Sequence, residues 1–204
     1  MQEEKSHAKS VLITSFLNYQ KQLEGFTCGN PKMDEFLRKE AETLNSNFES
    51  STAGLFNEDN ELVGFYSLSA SVINIKNVYE AKKFSGLSKS KDYTADSEVT
   101  YPAIKLNFLA VDKKHQRKHY GSWMIRRIFA GLYVTKMIAN IGFVALILDS
   151  TPEAVDFYER VGFEEFRDDS IGSTVQSLYP MFIKMERIMD IAKSIDLPDN
   201  LYEL

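Results

Sequence analysis

Between Val99 and Gly162 the chain twice runs from an apolar strand through a polar loop into a helix, and this alternation constrains its fold more than any other feature. Val99 to Val111 becomes rich in β-branched and aromatic residues towards its end, as expected of a strand. The polar loop Asp112 to Tyr120 leads into a helix predicted from Gly121 to about Asn140, with Met124, Ile125, Ile128, Phe129 and Leu132 on its buried stripe. Phe143 to Leu148 is an unbroken apolar run, the pattern of a central strand covered on both faces. Ser150-Thr151-Pro152-Glu153 then predicts a helix start, with Ser150 and Glu153 spaced for a capping box, and Gly162 ends that helix. Strand feeding helix twice in succession implies an α/β domain with some parallel pairing.

The flanking segments fit around this core. Val11 to Leu17 is an expected first strand, and Asn30-Pro31 an expected helix start, because Asn caps and Pro is tolerated at the first helical position. Met33, Phe36, Leu37, Ala41, Leu44 and Phe48 follow at helical spacing, with Asp34 and Glu35 in the favourable first turn. Thr52 to Phe56, the turn Asn57 to Asn60, and Leu62 to Val72 predict a hairpin. Residues 74–97, rich in Lys, Ser and Asp, are expected to form an irregular insertion with a short helix around Val78 to Phe84. Leu178 to Met185 is a further strand, and the tail 187–204 places Ile188, Ile191, Ala192 and Ile195 at helical spacing. Without internal repeats or a long linker, residues 1–204 are expected to be a single domain.

Composition excludes several classes. An apolar fraction of 44%, with 14 Phe and 10 Tyr, is far from disorder. No apolar stretch approaches the roughly 20 residues needed to span a bilayer, and the polar start MQEEKSHAKS lacks the hydrophobic core expected of a secretion signal. The single cysteine, Cys28, has no internal disulfide partner and no metal-ligand neighbours, so a cytoplasmic location without membrane or metal is expected. The net charge of −5 hides an asymmetry: Lys113 to Lys136 holds seven basic residues and no acidic ones, whereas Asp149 onwards holds thirteen acidic against five basic. A local positive field in an acidic protein suits a small anionic ligand.

That field centres on Leu109-Ala110-Val111-Asp112-Lys113-Lys114-His115-Gln116-Arg117-Lys118-His119-Tyr120-Gly121-Ser122, where a strand stops, a basic loop turns and a helix begins. The first amides of a helix have no internal partner and carry partial positive charge, so an anion is stabilised there. The segment resembles the GCN5-related N-acetyltransferases, whose Gln/Arg-x-x-Gly-x-Gly/Ala motif follows a strand ending in a Leu/Ile-Ala-Val-like triplet. The resemblance implies a mixed, partly parallel twisted sheet of about six or seven strands flanked by helices, with a motif core of about 99–163. It also implies that acetyl-coenzyme A is the co-substrate. Leu109, Ala110 and Val111 would pair with its pantetheine arm. Gln116, Arg117, Lys118, His119, Tyr120, Gly121 and Ser122 form the loop, whose amides from Arg117 to Ser122 would grip its pyrophosphate. His119 stands where the family usually has Gly, which strains the backbone if φ is positive there.

Ala154-Val155-Asp156-Phe157-Tyr158-Glu159-Arg160-Val161-Gly162-Phe163 resembles the family's Ala-x-x-Phe-Tyr-x-x-x-Gly-Phe segment. Tyr158 then matches the tyrosine that protonates the departing thiolate, in a reaction where an amine attacks the thioester directly. Cys28, with no His nearby in sequence, does not argue for an acyl-enzyme. The base stays open among Asp149, Glu98, Asp112, His119 and water.

Two N-terminal segments, Phe26 to Leu37 and Leu62 to Ala70, resemble toxin-type acetyltransferases of aminoacyl-tRNA, which are neutralised by a small protein partner. A sequence pI near 5.3 argues against tRNA, which places it behind an unidentified amine on a small molecule or peptide. A binding module that keeps coenzyme A but has lost catalysis is the alternative from another class. His119 motivates it and Tyr158 opposes it. Pairing of the chain with a second copy is left open.

Overall fold

The computed structural model describes residues 9–12, 20–75, 99–166 and 177–194. Along them run strand β1 (Lys9–Leu12), helices α1 (Gln20–Gly25), α2 (Pro31–Glu35) and α3 (Ala41–Ser46), and strands β2 (Ser51–Phe56), β3 (Leu62–Ile75) and β4 (Val99–Val111). Helix α4 (Tyr120–Ile138), strand β5 (Ala145–Ser150), helix α5 (Val155–Arg160), strands β6 (Glu164–Glu165) and β7 (Tyr179–Lys184) and helix α6 (Met185–Lys193) follow. Among the described residues seven strands hydrogen-bond in the order β1-β2-β3-β4-β5-β7-β6. β4 and β5 are parallel, Ala103 opposite Ala145 and Lys105 opposite Ile147. The pairs β1/β2, β2/β3, β5/β7 and β6/β7 are antiparallel, so the sheet is mixed as expected.

Two compact units divide the chain, residues 1–69 with 106–128 and residues 70–105 with 129–204, while β3, β4 and α4 run through both. In the first unit the Asn30 side chain accepts a hydrogen bond from the Lys32 amide and Pro31 occupies the first helical turn, the expected cap. The helix does not continue regularly. A π turn at Phe36–Glu40 separates α2 from α3, and α3 stops at Ser46. Phe48, expected on the buried stripe, instead has φ 61° and is 96% exposed, because the chain has already left the helix. Helix α1 was not anticipated, since six residues of mixed polarity give no periodic signal.

The first unit's core joins Phe26, Phe36, Leu37 and Ala41 to Phe56, Leu62, Phe65 and Ala110, with the Phe36 and Phe108 rings stacked. On the other face Leu55, Val63 and Met124 are buried against Leu109, Val111, Tyr120 and Trp123. The triplet therefore alternates, Ala110 towards the N-terminal helices and Leu109 and Val111 towards α4, as strand period two requires. The β2–β3 turn holds through the Asn57 side chain, which accepts from the Glu61 amide.

In the second unit β5 lies between β4 and β7, and Ala145, Leu146 and Leu148 are buried as a central strand requires. It begins two residues later than predicted, at Ala145. The Ser150–Glu153 capping box does not form. Ser150 is the buried last residue of β5 and its hydroxyl donates to the Thr151 carbonyl, so it is not free to cap. A 3-10 turn at Pro152–Ala154 leads into α5 instead. Gly162 ends α5 at φ 104°, and the Phe163 amide closes the turn on the Tyr158 carbonyl. The insertion's short helix and Ile195 onwards lie outside the described residues, although β3 extends through Asn74 and Ile75. No helix of the described residues is long and apolar enough to cross a membrane.

Candidate active site

The basic loop sits where β4 gives way to α4, and the sequence builds it in three steps. Asp112 is buried. Its Oδ1 accepts from the Lys114 amide at 2.9 Å, which starts a single 3-10 turn at Lys113–His115. Gln116 returns to extended geometry, with φ −60° and ψ 155°. Arg117 and His119 then adopt φ 61° and 63°, and α4 opens at Tyr120, with the Trp123 amide donating to the His119 carbonyl. Two left-handed residues around an exposed Lys118 reverse the chain in a short span. Lys113, Lys114, Arg117, Lys118 and His119 are exposed, while Tyr120, Gly121 and Ser122 are half-buried in the first turn of α4.

The positive φ at His119 is the strained case foreseen from the sequence, and Arg117 adds a second strained position that no motif indicated. His119→Gly is expected to stabilise the protein by about 0.5–1 kcal/mol, since relief of a left-handed side chain outweighs the added chain entropy. Thermal unfolding should show a rise of a few degrees. A fall would mean that the imidazole makes contacts worth more than the strain.

β4 is approached closely before it reaches the loop. A Cβ added at Gly64 would lie 2.7 Å from the Ala110 carbonyl oxygen and 3.0 Å from the Met124 methyl carbon, so glycine is what lets β3 run against the triplet. The Gln116 amide donates to the carbonyls of Cys28 at 2.9 Å and Val111 at 3.1 Å. Its side chain thus ties the loop to its own surroundings.

The N-terminal segment Phe26-Thr27-Cys28 is a partner of this loop that sequence reasoning missed. The Thr27 amide donates to Asp112 Oδ2 at 3.1 Å, and the Lys113 amide donates to the Thr27 carbonyl at 2.8 Å. Asp34, expected to serve as a first-turn charge, is buried and turned back: its oxygens accept from the Cys28 amide and the Thr27 hydroxyl, both at 2.8 Å. Burial acts to raise the Asp34 pKa, but these bonds and the nearby Arg38 charge together hold it below the usual carboxylate value. Burial, with the Asp34 charge adding to it, pushes the Cys28 thiol up to about 11, so it is a poor nucleophile at neutral pH. A carboxylate eight residues after Phe26 carries no signal by itself. Only the tertiary approach of the two segments gives it this role.

Tyr158 belongs to the second unit. It is buried on α5, with its ring edge-on to Phe157 at 5.1 Å and to Phe163 at 5.5 Å. Burial pushes its pKa up to about 12, so the phenol keeps its proton at neutral pH. Of the open candidates for a base, Asp149 is paired with Lys105 at 2.7 Å, and Asp112 is occupied by backbone amides. Glu98 lies outside the described residues.

Residues 52–165 match the family model described as an acetyltransferase (GNAT) domain. Among solved structures, a bacterial toxin superposes with a TM-score of 0.74 at 20% identity, covering 95% of this chain and 99% of its own. AtaT complexed with acetyl-methionyl-tRNAfMet superposes at 0.69 and 17% identity, covering 89% of this chain and 96% of its own. AtaTR bound with acetyl-coenzyme A gives 0.64 at 17% identity, over 89% of this chain and 95% of its own.

Proposed function

The chain belongs to the GNAT acetyltransferases, and from that membership we propose that it moves the acetyl group of acetyl-coenzyme A onto a primary amine by direct attack in a ternary complex. The observation that carries this reading is the loop at the start of α4. Two left-handed residues bring the chain into a 19-residue helix whose first amides lack intrahelical acceptors, inside a stretch with no acidic residue from Lys113 to Lys136. A pyrophosphate would be held there by the amides from Arg117 to Ser122, with the exposed lysines and Arg117 adding charge. The backbone of Leu109, Ala110 and Val111 would take the pantetheine arm. In the reaction the amine nitrogen bonds to the thioester carbon, the carbon–sulfur bond breaks, and the sulfur takes the proton of Tyr158. The nitrogen loses its extra proton to solvent or to a base on the acceptor side, and the Tyr158 phenolate regains a proton from solvent before the next turnover.

Calorimetry with acetyl-coenzyme A tests the reading. Saturable binding is expected, weakened about ten-fold or more when Gly121 becomes Val, whose branched side chain would crowd an anion approaching the backbone. Absence of binding at millimolar ligand would overturn it.

A narrower reading takes the acceptor to be the α-amino group of an aminoacyl-tRNA. It is favoured by the fold shared with AtaT, which was solved with acetyl-methionyl-tRNAfMet, and by the exposed cations of the loop together with Arg126 on α4. A small neutralising protein partner goes with it, since AtaT was also solved bound to the C-terminus of the antitoxin AtaR. Thiol release with charged tRNA, compared with free amino acids and peptides, separates the two acceptor classes.

A further inference from the structure

We propose that Asp34 is a positioning residue for the coenzyme A loop, acting through the segment Phe26-Thr27-Cys28. The proposal rests on the coenzyme reading given above. Five successive backbone polar groups of this segment are bonded to other parts of the chain. On the helix side, Arg38 Nη1 donates to the Phe26 carbonyl at 3.0 Å, and Asp34 accepts from the Cys28 amide and the Thr27 hydroxyl. On the loop side, Asp112 and the Lys113 amide hold the two backbone groups of Thr27, and Gln116 holds the Cys28 carbonyl. The segment is therefore a spacer pinned between α2 and the first turn of the loop.

The loop needs such a support. Arg117 and His119 are non-glycine residues at positive φ, a geometry that persists only where neighbours over-determine it. The surroundings on the loop side are Asp112, Lys113 and Gln116, and all three are fixed by Thr27 or Cys28. Gly29 completes the fit. At φ 92° and without a side chain, it lets the Lys113 stem pass where a Cβ would stand 2.6 Å from Lys113 Cε. The Phe26 ring at the start of the segment and the Phe36 ring just past Asp34 are buried in one core, which holds the two stretches together independently of the carboxylate. Loss of Asp34 should thus loosen the loop while the fold survives. A looser loop must be ordered when the ligand arrives, and that ordering weakens binding.

The test is the Kd for acetyl-coenzyme A, measured by calorimetry well below the melting temperature of each variant, where lowered stability alone leaves Kd unchanged. Asp34→Ala is expected to weaken binding about ten-fold, because two hydrogen bonds to the segment disappear. Asp34→Asn should restore affinity to within about two-fold of the parent: its carbonyl still accepts from the Cys28 amide, and its NH2 can donate to the Thr27 hydroxyl. An unchanged Kd in folded Asp34→Ala overturns the proposal. So does an equal loss in the Asn variant, since charge rather than hydrogen bonding would then be responsible. If the Ala variant does not fold, Thr27→Val decides: it removes the hydroxyl bond and keeps both backbone bonds. A loss of about three-fold supports the proposal and none overturns it. Absence of binding by the parent protein is a separate result, which removes the coenzyme reading and this proposal together.

Discussion

Tyr158→Phe is expected to lower kcat by roughly ten- to a thousand-fold and to leave Kd for acetyl-coenzyme A within about two-fold. The reason lies in what the buried ring and its oxygen do separately. The ring is held by Phe157 and Phe163, contacts that phenylalanine keeps, so the variant should fold and bind. The oxygen carries a proton whose pKa burial has pushed up to about 12. It therefore stays on the oxygen across the neutral range, as the proposed protonation of a leaving thiolate requires. Because the folded pKa is raised, the protonated form is the one the fold favours. Any stability linked to it is intact below pH 10 and is lost only as pH climbs towards 12. No titration of Tyr158 should then appear in a rate profile between pH 6 and about 9. The measurement is kcat under conditions where chemistry limits turnover, with the melting temperature recorded beside it. An unaltered kcat in a folded variant would remove Tyr158 from the reaction and leave it a packing residue.

The second large effect is expected at Gly64. Replacing it with Val should destabilise the protein by about 1–3 kcal/mol, a fall in melting temperature of roughly 2–12 °C for a chain of this length. The nearest obstacle, 2.7 Å from the added Cβ, is the backbone oxygen of Ala110, which cannot rotate aside. Either β3 or β4 must move, and β4 carries the triplet assigned to the pantetheine arm. Binding of acetyl-coenzyme A should therefore weaken as well, a result that simple loss of stability would not give. Gly131 is the matched control. It lies within α4 with nothing inside 4 Å of its added Cβ, so Ala there should stabilise by about 0.5–1 kcal/mol. A Gly64→Val protein as stable as its parent would mean that the strands separate without strain.

The sequence by itself determined the elements whose signals are local. Asn30 and Pro31 announce a helix because cap and first-turn residues act on their own amides. The strand Val99–Val111 and the glycine stop at Gly162 were legible for the same reason: period, β-branching and left-handed geometry are properties of a few adjacent residues. The strand–loop–helix order carried the basic loop with it. What the sequence could not decide are features that depend on distant partners. Phe48 leaves the buried stripe because a π turn at Phe36–Glu40 and a helix end at Ser46 break the periodicity it was read from. Ser150 does not cap because burial at the end of β5 sends its hydroxyl to Thr151. Asp34 and Asp112 stand 78 positions apart in the chain. They become parts of one structure only when the extended segment at Thr27 is threaded between them. A hydrogen bond needs its partner within about 3 Å, and which partner arrives there is settled by the path of the whole backbone.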